Sequence, residues 1–228
     1  VSKIINFAAE THVDNSIKRP DVFIKTNING TFNLLNLAYN YWKDKKNFNS
    51  KRFLQISTDE VYGSINKGSF SENSPFAPNS PYSSSKASAD LIVKSFFKTY
   101  KLPVIITNSS NNFGPGQHSE KFIPTIIRSL INKKKIPIYG KGLNIRNWLF
   151  VEDNNDAIFQ VLKFGRIGQN YNIGSQVELT NLELVKKICK IFSNIVKDKF
   201  NYLSLISFVT DRKGHDQRYS LNIKKIQK

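Results

Sequence analysis

One cysteine stands among 228 residues, so Cys189 has no partner for a disulfide within the chain. It falls in the apolar pattern of Leu184, Val185, Ile188, Ile191 and Phe192 and reads as a helix core residue. Long apolar runs are missing too: no stretch approaches the ~18 residues of a membrane-spanning helix. The first residues show no charged, apolar, small-residue leader, so a cytoplasmic protein without a signal peptide is expected. Acids are scarce, 17 against 34 Lys and Arg, which gives a formal net charge of +17. A surplus of that size suits a nucleic-acid-binding surface. The lysines are scattered, however, and the densest clusters, at 43–46 and 133–135, fall where helices should end and cations are favoured anyway. The expectation is compositional drift toward Lys, Asn and Ile, with neither nucleic acid nor membrane as partner.

What is present is an alternation of strand and helix patterns. Residues 3–9 read as a buried strand and 27–42 as a helix with Ile28, Phe32, Leu35 and Tyr39 on one face. Residues 52–57 form a second apolar strand, 82–100 a helix and 103–107 a third strand. Spacing of this kind argues for a parallel sheet with helices on its faces. Beyond residue 111 the texture changes. A loop at 111–117 precedes a helix at 120–132. Short strands at 136–139, 147–151 and 171–173 follow, with helices at 153–163 and 181–196. The division expected is a dinucleotide-binding part, 1–110, and a mainly substrate-binding part, 111–228, in which 145–170 returns to the first sheet.

Ligands of open parallel sheets bind beyond the carboxyl ends of the strands. That rule selects the segments 8–14, 57–62 and 108–112 and the start of the helix at Tyr82. Tyr82 and Lys86 form a Tyr-x-x-x-Lys pair on one helix face, where an ammonium should lower the phenol pKa and let it act as a base. The same spacing recurs at Tyr39/Lys43 and Tyr41/Lys45, but inside a helix with no strand end beside it. Adjacent Asp59 and Glu60 are the second signal. Neighbours on a strand point to opposite faces, so the chain must bend there if both acids are to reach one ligand. The plain alternative is a solvated acidic loop.

Taken together, Ser57-Thr58-Asp59-Glu60-Val61-Tyr62-Gly63 and Ser80-Pro81-Tyr82-Ser83-Ser84-Ser85-Lys86-Ala87 resemble the dTDP-glucose 4,6-dehydratase family of extended short-chain dehydrogenases. The resemblance continues through Ala8-Ala9-Glu10-Thr11-His12-Val13-Asp14, Thr26-Asn27-Ile28-Asn29-Gly30-Thr31 and residues 107–115. It resumes at Glu120-Lys121-Phe122-Ile123-Pro124, Asn144-Ile145-Arg146-Asn147-Trp148, Tyr171-Asn172-Ile173-Gly174 and Asp211-Arg212-Lys213-Gly214-His215-Asp216-Gln217-Arg218-Tyr219.

The resemblance implies NAD as a recycled cofactor, a nucleotide-diphosphate sugar as substrate and no metal. It implies that Tyr82 takes the 4-hydroxyl proton, that Lys86 holds the nicotinamide ribose and that Thr58 bonds the 4-oxygen. Glu60 would then remove the C5 proton and Asp59 protonate the departing 6-hydroxyl. NAD contacts would come from Phe7, Ala8, Ala9, Thr26, Tyr82, Lys86 and Asn112. Substrate contacts would come from Thr11, Asn111, Lys121, Phe122, Tyr139, Arg146, Asn181, Arg212 and His215. His12 and His215 also read as plain polar surface residues, and His118 has no role. A homodimer is implied, paired through the helices at 27–42 and 82–100.

The family's opening Gly-x-x-Gly-x-x-Gly turn is found at none of the 11 glycines. The expectation is therefore a partial Rossmann-like doubly wound parallel sheet lacking its first strands, in a chain that ends inside a helix. Such an N- and C-terminally incomplete fragment is expected to be inactive alone. Lys213 and Asn147 stand where the family usually has proline and aspartate. Rival functions are a 4-epimerase or decarboxylase on the same scaffold, or a non-catalytic dinucleotide- or nucleic-acid-binding protein. An epimerase needs no elimination acid and base, so Asp59-Glu60 favours the dehydratase.

Overall fold

The computed structural model describes residues 1–45 and 48–227, and Lys46, within the basic cluster at 43–46, lies outside the described residues. The chain opens on β1 (Lys3–Asn6), α1 (Val13–Lys18) and α2 (Pro20–Phe23), then enters α3 (Gly30–Trp42) through a π-helical segment, Ile24–Asn29. β2 (Arg52–Thr58) runs into a 3-10 turn, Asp59–Tyr62. α4 (Pro81–Tyr100), β3 (Val104–Ser109), β4 (Asn111–Phe113), α5 (Phe122–Ile131) and β5 (Ile136–Tyr139) follow. The rest is β6 (Ile145–Phe150), α6 (Val151–Phe164), β7 (Asn170–Ile173), β8 (Glu178–Thr180), α7 (Asn181–Val196) and β9 (Ile206–Val209).

β1, β2, β3 and β7 form a parallel sheet in that spatial order. β2 and β3 are buried along nearly their whole length, as a parallel strand covered on both faces must be. Alternate residues serve opposite faces. Phe53, Val104 and Ile106 pack with Leu35, Trp42, Val93 and Phe96 of α3 and α4. Leu54 and Ile105 pack with Ile158, Val161 and Leu162 of α6. Each such side chain contributes about 1.5–3 kcal/mol on burial, so these two layers hold the sheet. A separate core joins α5, α7 and β5 and includes Cys189, which is buried as its apolar pattern suggested. β4, β6 and β8 form a second small sheet, and β5 pairs with β9. Among the described residues no helix is long and apolar enough to cross a membrane.

Several elements differ from the sequence expectation. The strand expected at 3–9 stops at Asn6, whose side chain turns to accept from the Ala8 N–H and donate to Gln55. The helix expected at 27–42 becomes regular only at Gly30, because the π segment widens to bring Asn27 inward. The loop expected at 111–117 begins with β4, which pairs with β6. Residues 224–227 form a turn. The lysines near helix ends have local partners: Lys133 pairs with Asp198 at 3.2 Å and Lys135 donates to the Ser204 carbonyl.

Candidate active site

Thr58 closes β2 and caps the turn after it, its Oγ1 accepting from the Glu60 N–H at 3.3 Å and donating to Asp59 Oδ1 at 3.1 Å. Gly63 ends the turn at φ 80°; a Cβ there would lie 2.3 Å from the Ala77 carbonyl oxygen, so only glycine fits. The bend gives the two acids unlike surroundings. Asp59 is 2% exposed and its Oδ2 has no hydrogen-bond partner. Burial, with the Glu60 charge beside it, pushes its pKa up to about 7. Glu60 lines the cavity. Burial raises its pKa and Asp216 adds to the rise, while Arg146, Arg212 and Lys121 oppose it. A carboxyl that keeps its proton near neutrality therefore stands next to one whose pKa burial also raises but three cations restrain.

Helix α4 delivers the second pair. Ser80 and Ser83 form a reciprocal capping box and Pro81 occupies the first turn, which fixes where the helix starts. Tyr82 then lies buried against Phe23, ring centroids 6.4 Å apart, and within hydrogen-bonding reach of Thr58. Lys86 is buried one turn on and donates to the Ile56 carbonyl at 2.6 Å. The expected lowering of the Tyr82 pKa is not what the surroundings produce. Burial raises it, and the Glu60, Asp59 and Asp90 charges raise it further. Burial also lowers the pKa of Lys86.

A cavity of about 250 Å³ is lined by Glu60, while Thr58, Asp59, Tyr82 and Lys86 lie buried outside its lining. Of the residues expected to touch substrate, Asn111, Phe122, Tyr139, Arg146, Asn181, Arg212 and His215 line it together with Glu60. Thr11 and Lys121 line an adjoining opening that shares Glu60, Asn111, Phe122 and Arg212. There the Lys121 ammonium donates to Thr11 Oγ1 at 2.8 Å. Arg146 spends its donors on the Ile145 and Asp216 carbonyls and stacks over Tyr219, so its charge reaches Glu60 through space. Arg212 is gripped by Asp14, with bonds of 2.7 and 3.1 Å. His215 pairs with Asp211 at 2.7 Å, and burial lowers its pKa. His12 caps α1 and lines the cavity, while His118 lies beside Glu120.

The residues expected to touch NAD lie along the strand ends. Phe7 and Ala8 are exposed just after β1, Ala9 is half-buried, and Thr26 sits in the π segment. Asn112 is on β4 beside the second opening, and its Oδ1 is buried without a partner.

The sequence reading assigned no role to several residues that build the site. Asn27 donates to the Glu10 carbonyl and to Ser85 Oγ, tying the loop after β1 to α4. Asp14 also accepts from the Tyr139 hydroxyl at 2.9 Å, so one carboxylate holds two expected substrate contacts. Trp148 lines the cavity with an unpartnered Nε1. Tyr219 donates to Asp216 Oδ2 at 2.7 Å and lies 3.5 Å from Glu60 Oε2. Asp14, Asn27, Trp148, Asp216 and Tyr219 all fall inside motifs quoted above, and that was the signal available. Among the described residues no group of three or more His, Cys, Asp or Glu could hold a metal ion.

Comparison with known proteins places this geometry. The family model described as GDP-mannose 4,6 dehydratase matches residues 1–228. The dTDP-glucose 4,6-dehydratase of Haemophilus influenzae is 50% identical over 231 residues, covering 98% of this chain and 68% of that protein. The dTDP-glucose 4,6-dehydratase 1 of Escherichia coli K12 is 46% identical over 237 residues, covering 98% and 65%. The crystal structure of the Streptomyces venezuelae dTDP-glucose 4,6-dehydratase, with NAD bound, superposes at a TM-score of 0.90. It is 44% identical and covers 100% of this chain and 66% of that one. The chain thus spans about two thirds of the length of the curated relatives it matches. The parallel sheet is the Rossmann type, present in part relative to these neighbours. UDP-glucuronic acid 4-epimerase from Bacillus cereus, 23% identical at a TM-score of 0.86, shares the fold. With whole-length coverage at this identity, the chain belongs to the dTDP-glucose 4,6-dehydratase family.

Proposed function

We propose that the protein is a dTDP-glucose 4,6-dehydratase, an NAD-dependent hydro-lyase that forms dTDP-4-keto-6-deoxyglucose. The observation that carries this is the inequality of Asp59 and Glu60 at one bent strand end, one buried and proton-holding, the other facing the cavity among cations. Elimination of water needs such an acid and base, and close carboxylates in unlike surroundings divide those roles.

The residues present fit the nicotinamide end of NAD: Tyr82 and Lys86 share a helix face, and the buried Asn112 Oδ1 lacks a partner. Phe7, Ala8, Ala9 and Thr26 would complete that contact. NAD, when bound, would supply the hydride acceptor for sugar C4 and the hydride donor for C6. Tyr82 removes the 4-hydroxyl proton, and Thr58 holds the oxygen while it becomes a carbonyl. Lys86, which donates to the Ile56 carbonyl, would hold the nicotinamide ribose with its remaining N–H groups. The carbonyl acidifies the C5 proton, Glu60 removes it, and Asp59 protonates the 6-hydroxyl as water departs. Thr11, Asn111, Lys121, Phe122, Tyr139, Arg146, Asn181, Arg212 and His215 surround the nucleotide diphosphate. An arginine fork suits phosphate oxygens. The choice of thymidine rests on the relatives' names.

The direct test offers the full-length protein, loaded with NAD, dTDP-glucose beside UDP-, GDP- and CDP-glucose. The expected product is the dTDP-4-keto-6-deoxy sugar, without net NADH. A C4 epimer as the sole product, or turnover of another nucleotide sugar alone, would overturn the reading.

The same reading pairs two copies through α3 and α4. Their outer faces expose Leu37 at 66% and Leu91 at 57%, with Phe32, Tyr41 and Tyr100 beside them. Large exposed apolar side chains gathered on two helices favour association. Introducing Leu37→Glu and Leu91→Glu together should halve the mass seen by light scattering. An unchanged mass counts against the pairing.

A further inference from the structure

Beneath the Tyr82–Lys86 pair lies a carboxylate that the reaction as described does not use. Asp90 follows Lys86 by one turn of α4 and is fully buried. Its Oδ2 accepts from Ser57 Oγ at 2.6 Å, the length of a hydrogen bond to an ionised oxygen. Asn108 Nδ2 approaches the same oxygen at 3.4 Å and donates to the Thr58 carbonyl at 3.2 Å. Ser57 and Asn108 are register partners on β2 and β3, so two strands converge on one helix side chain. Oδ1 has no hydrogen-bond partner, although it is buried. A purely structural strut would be cheaper as a neutral side chain, because an ionised group in a dry site carries a desolvation cost.

We propose that Asp90 is a positioning residue for the Tyr82–Lys86 pair: its buried carboxylate, held by Ser57, keeps the Lys86 ammonium charged in a dry site and ties α4 to the strand end that carries Thr58. The proposal rests on the dehydratase reading for its catalytic consequence, but its electrostatic core does not. Burial drives Lys86 toward neutrality, and Asp90 is the carboxylate that opposes this. Asp59 and Glu60, on the turn after β2, act on Tyr82, and Asp90 adds to their effect there. Lys94, one turn beyond Asp90 on α4, draws on the same carboxylate. Tyr62, on the 3-10 turn, has its phenol pushed up by burial and by Asp90, and so carries no charge at neutral pH. Asp90 itself is raised by burial to about 6, with Lys86, Ser57, Lys94 and Asn108 opposing, so it is ionised at and above neutrality.

Two substitutions separate charge from shape in the NAD-loaded protein. Asp90→Asn keeps the shape and removes the charge. Ser57→Ala removes the bond and keeps the charge. Carbon-13 NMR of ε-labelled lysine, with Lys86 assigned by the loss of its signal in Lys86→Arg, reads the ammonium directly. Asp90→Asn should lower the Lys86 titration by about one pH unit, within the range of neighbouring-charge effects. The alkaline limb of kcat should move down with it, at an unchanged KM for the nucleotide sugar. Ser57→Ala should raise the pH at which Asp90 ionises, because the lost hydroxyl favours the carboxylate, and should leave the Lys86 titration above that pH in place. In the unsubstituted protein the Lys86 signal should already show an inflection near pH 6 as Asp90 ionises, so the test does not depend on Asp90→Asn folding. A Lys86 signal with no such inflection, or one unmoved in folded Asp90→Asn, overturns the proposal. Absence of a 4-keto product from the unsubstituted full-length protein would sink the dehydratase reading and leave the NMR result standing.

Discussion

Glu60→Gln is expected to cut formation of the 4-keto-6-deoxy sugar by about 10³-fold, within the 10²–10⁴ that a positioned general base contributes. In barrier height that is about 4 kcal/mol. Glutamine keeps the shape and the hydrogen-bonding reach of glutamate but cannot take the C5 proton. Tyr82, Thr58 and Lys86 stay in place, and loss of the Glu60 charge removes one of the charges that raise the Tyr82 pKa, so C4 oxidation should continue. Reduced nicotinamide should therefore build up on the protein after dTDP-glucose is mixed in, and persist. Stopped-flow absorbance of the reduced ring, set against product formation, separates the two steps. The pH dependence carries a sign as well. Burial and Asp216 raise the Glu60 pKa. The base is then lost by protonation at a pH above the ordinary glutamate range, and the acid limb of kcat should sit correspondingly high. In Glu60→Gln that limb should vanish from the residual activity. Elimination at the normal rate in this variant would remove Glu60 from the role.

The acid–base pair was legible because its chemistry is local. Thr58, Asp59 and Glu60 are consecutive, and a bend after a seven-residue apolar strand is the bend that the 3-10 turn Asp59–Tyr62 makes. Tyr82 and Lys86 sit four apart on a helix whose start is written in Ser80, Pro81 and Ser83. The bounds of α7 were equally plain, since Thr180 and Glu183 form a capping box ahead of a periodic apolar run. What escaped was non-local or irregular. Asp14 and Arg212 meet across 198 residues, and no spacing rule joins them. The π segment keeps a helical apolar pattern while shifting its hydrogen bonds, so periodicity read it as part of α3. β4 and β8 have three residues each, too few to show alternation. The direction of the Tyr82 pKa failed for a related reason. The sequence placed one ammonium four residues away, but it did not show that Lys86 would bond the Ile56 carbonyl while three carboxylates surrounded the phenol.

Asp59→Asn should make the protein inactive and, at alkaline pH, more stable. The folded-state pKa of Asp59 lies at about 7, raised from 3.8 by burial and Glu60. A group that holds its proton more tightly when folded contributes its full share of stability below the unfolded pKa. That share is lost as pH rises through the folded value. The window is thus about pH 4 to 7, and above it the folded protein carries an ionised buried carboxylate whose Oδ2 has no partner. At roughly 1.4 kcal/mol per pKa unit the ceiling is about 4 kcal/mol. Water entry and relaxation reduce it, and about 1–2 kcal/mol is the expected gain for asparagine at pH 8, or roughly 3–6 °C in Tm. The gain should shrink steadily toward pH 5, where wild-type Asp59 is protonated when folded. Turnover should fall by about 10²-fold or more, because asparagine has no proton to give the departing 6-hydroxyl. One substitution then exposes both sides of the site. The proton that Asp59 keeps near neutrality is the one the proposed elimination requires, and the burial that keeps it there weakens the fold at alkaline pH. A Tm gain that does not change between pH 5 and pH 8 would mean that Asp59 is ionised throughout, and the general-acid assignment would fall with it.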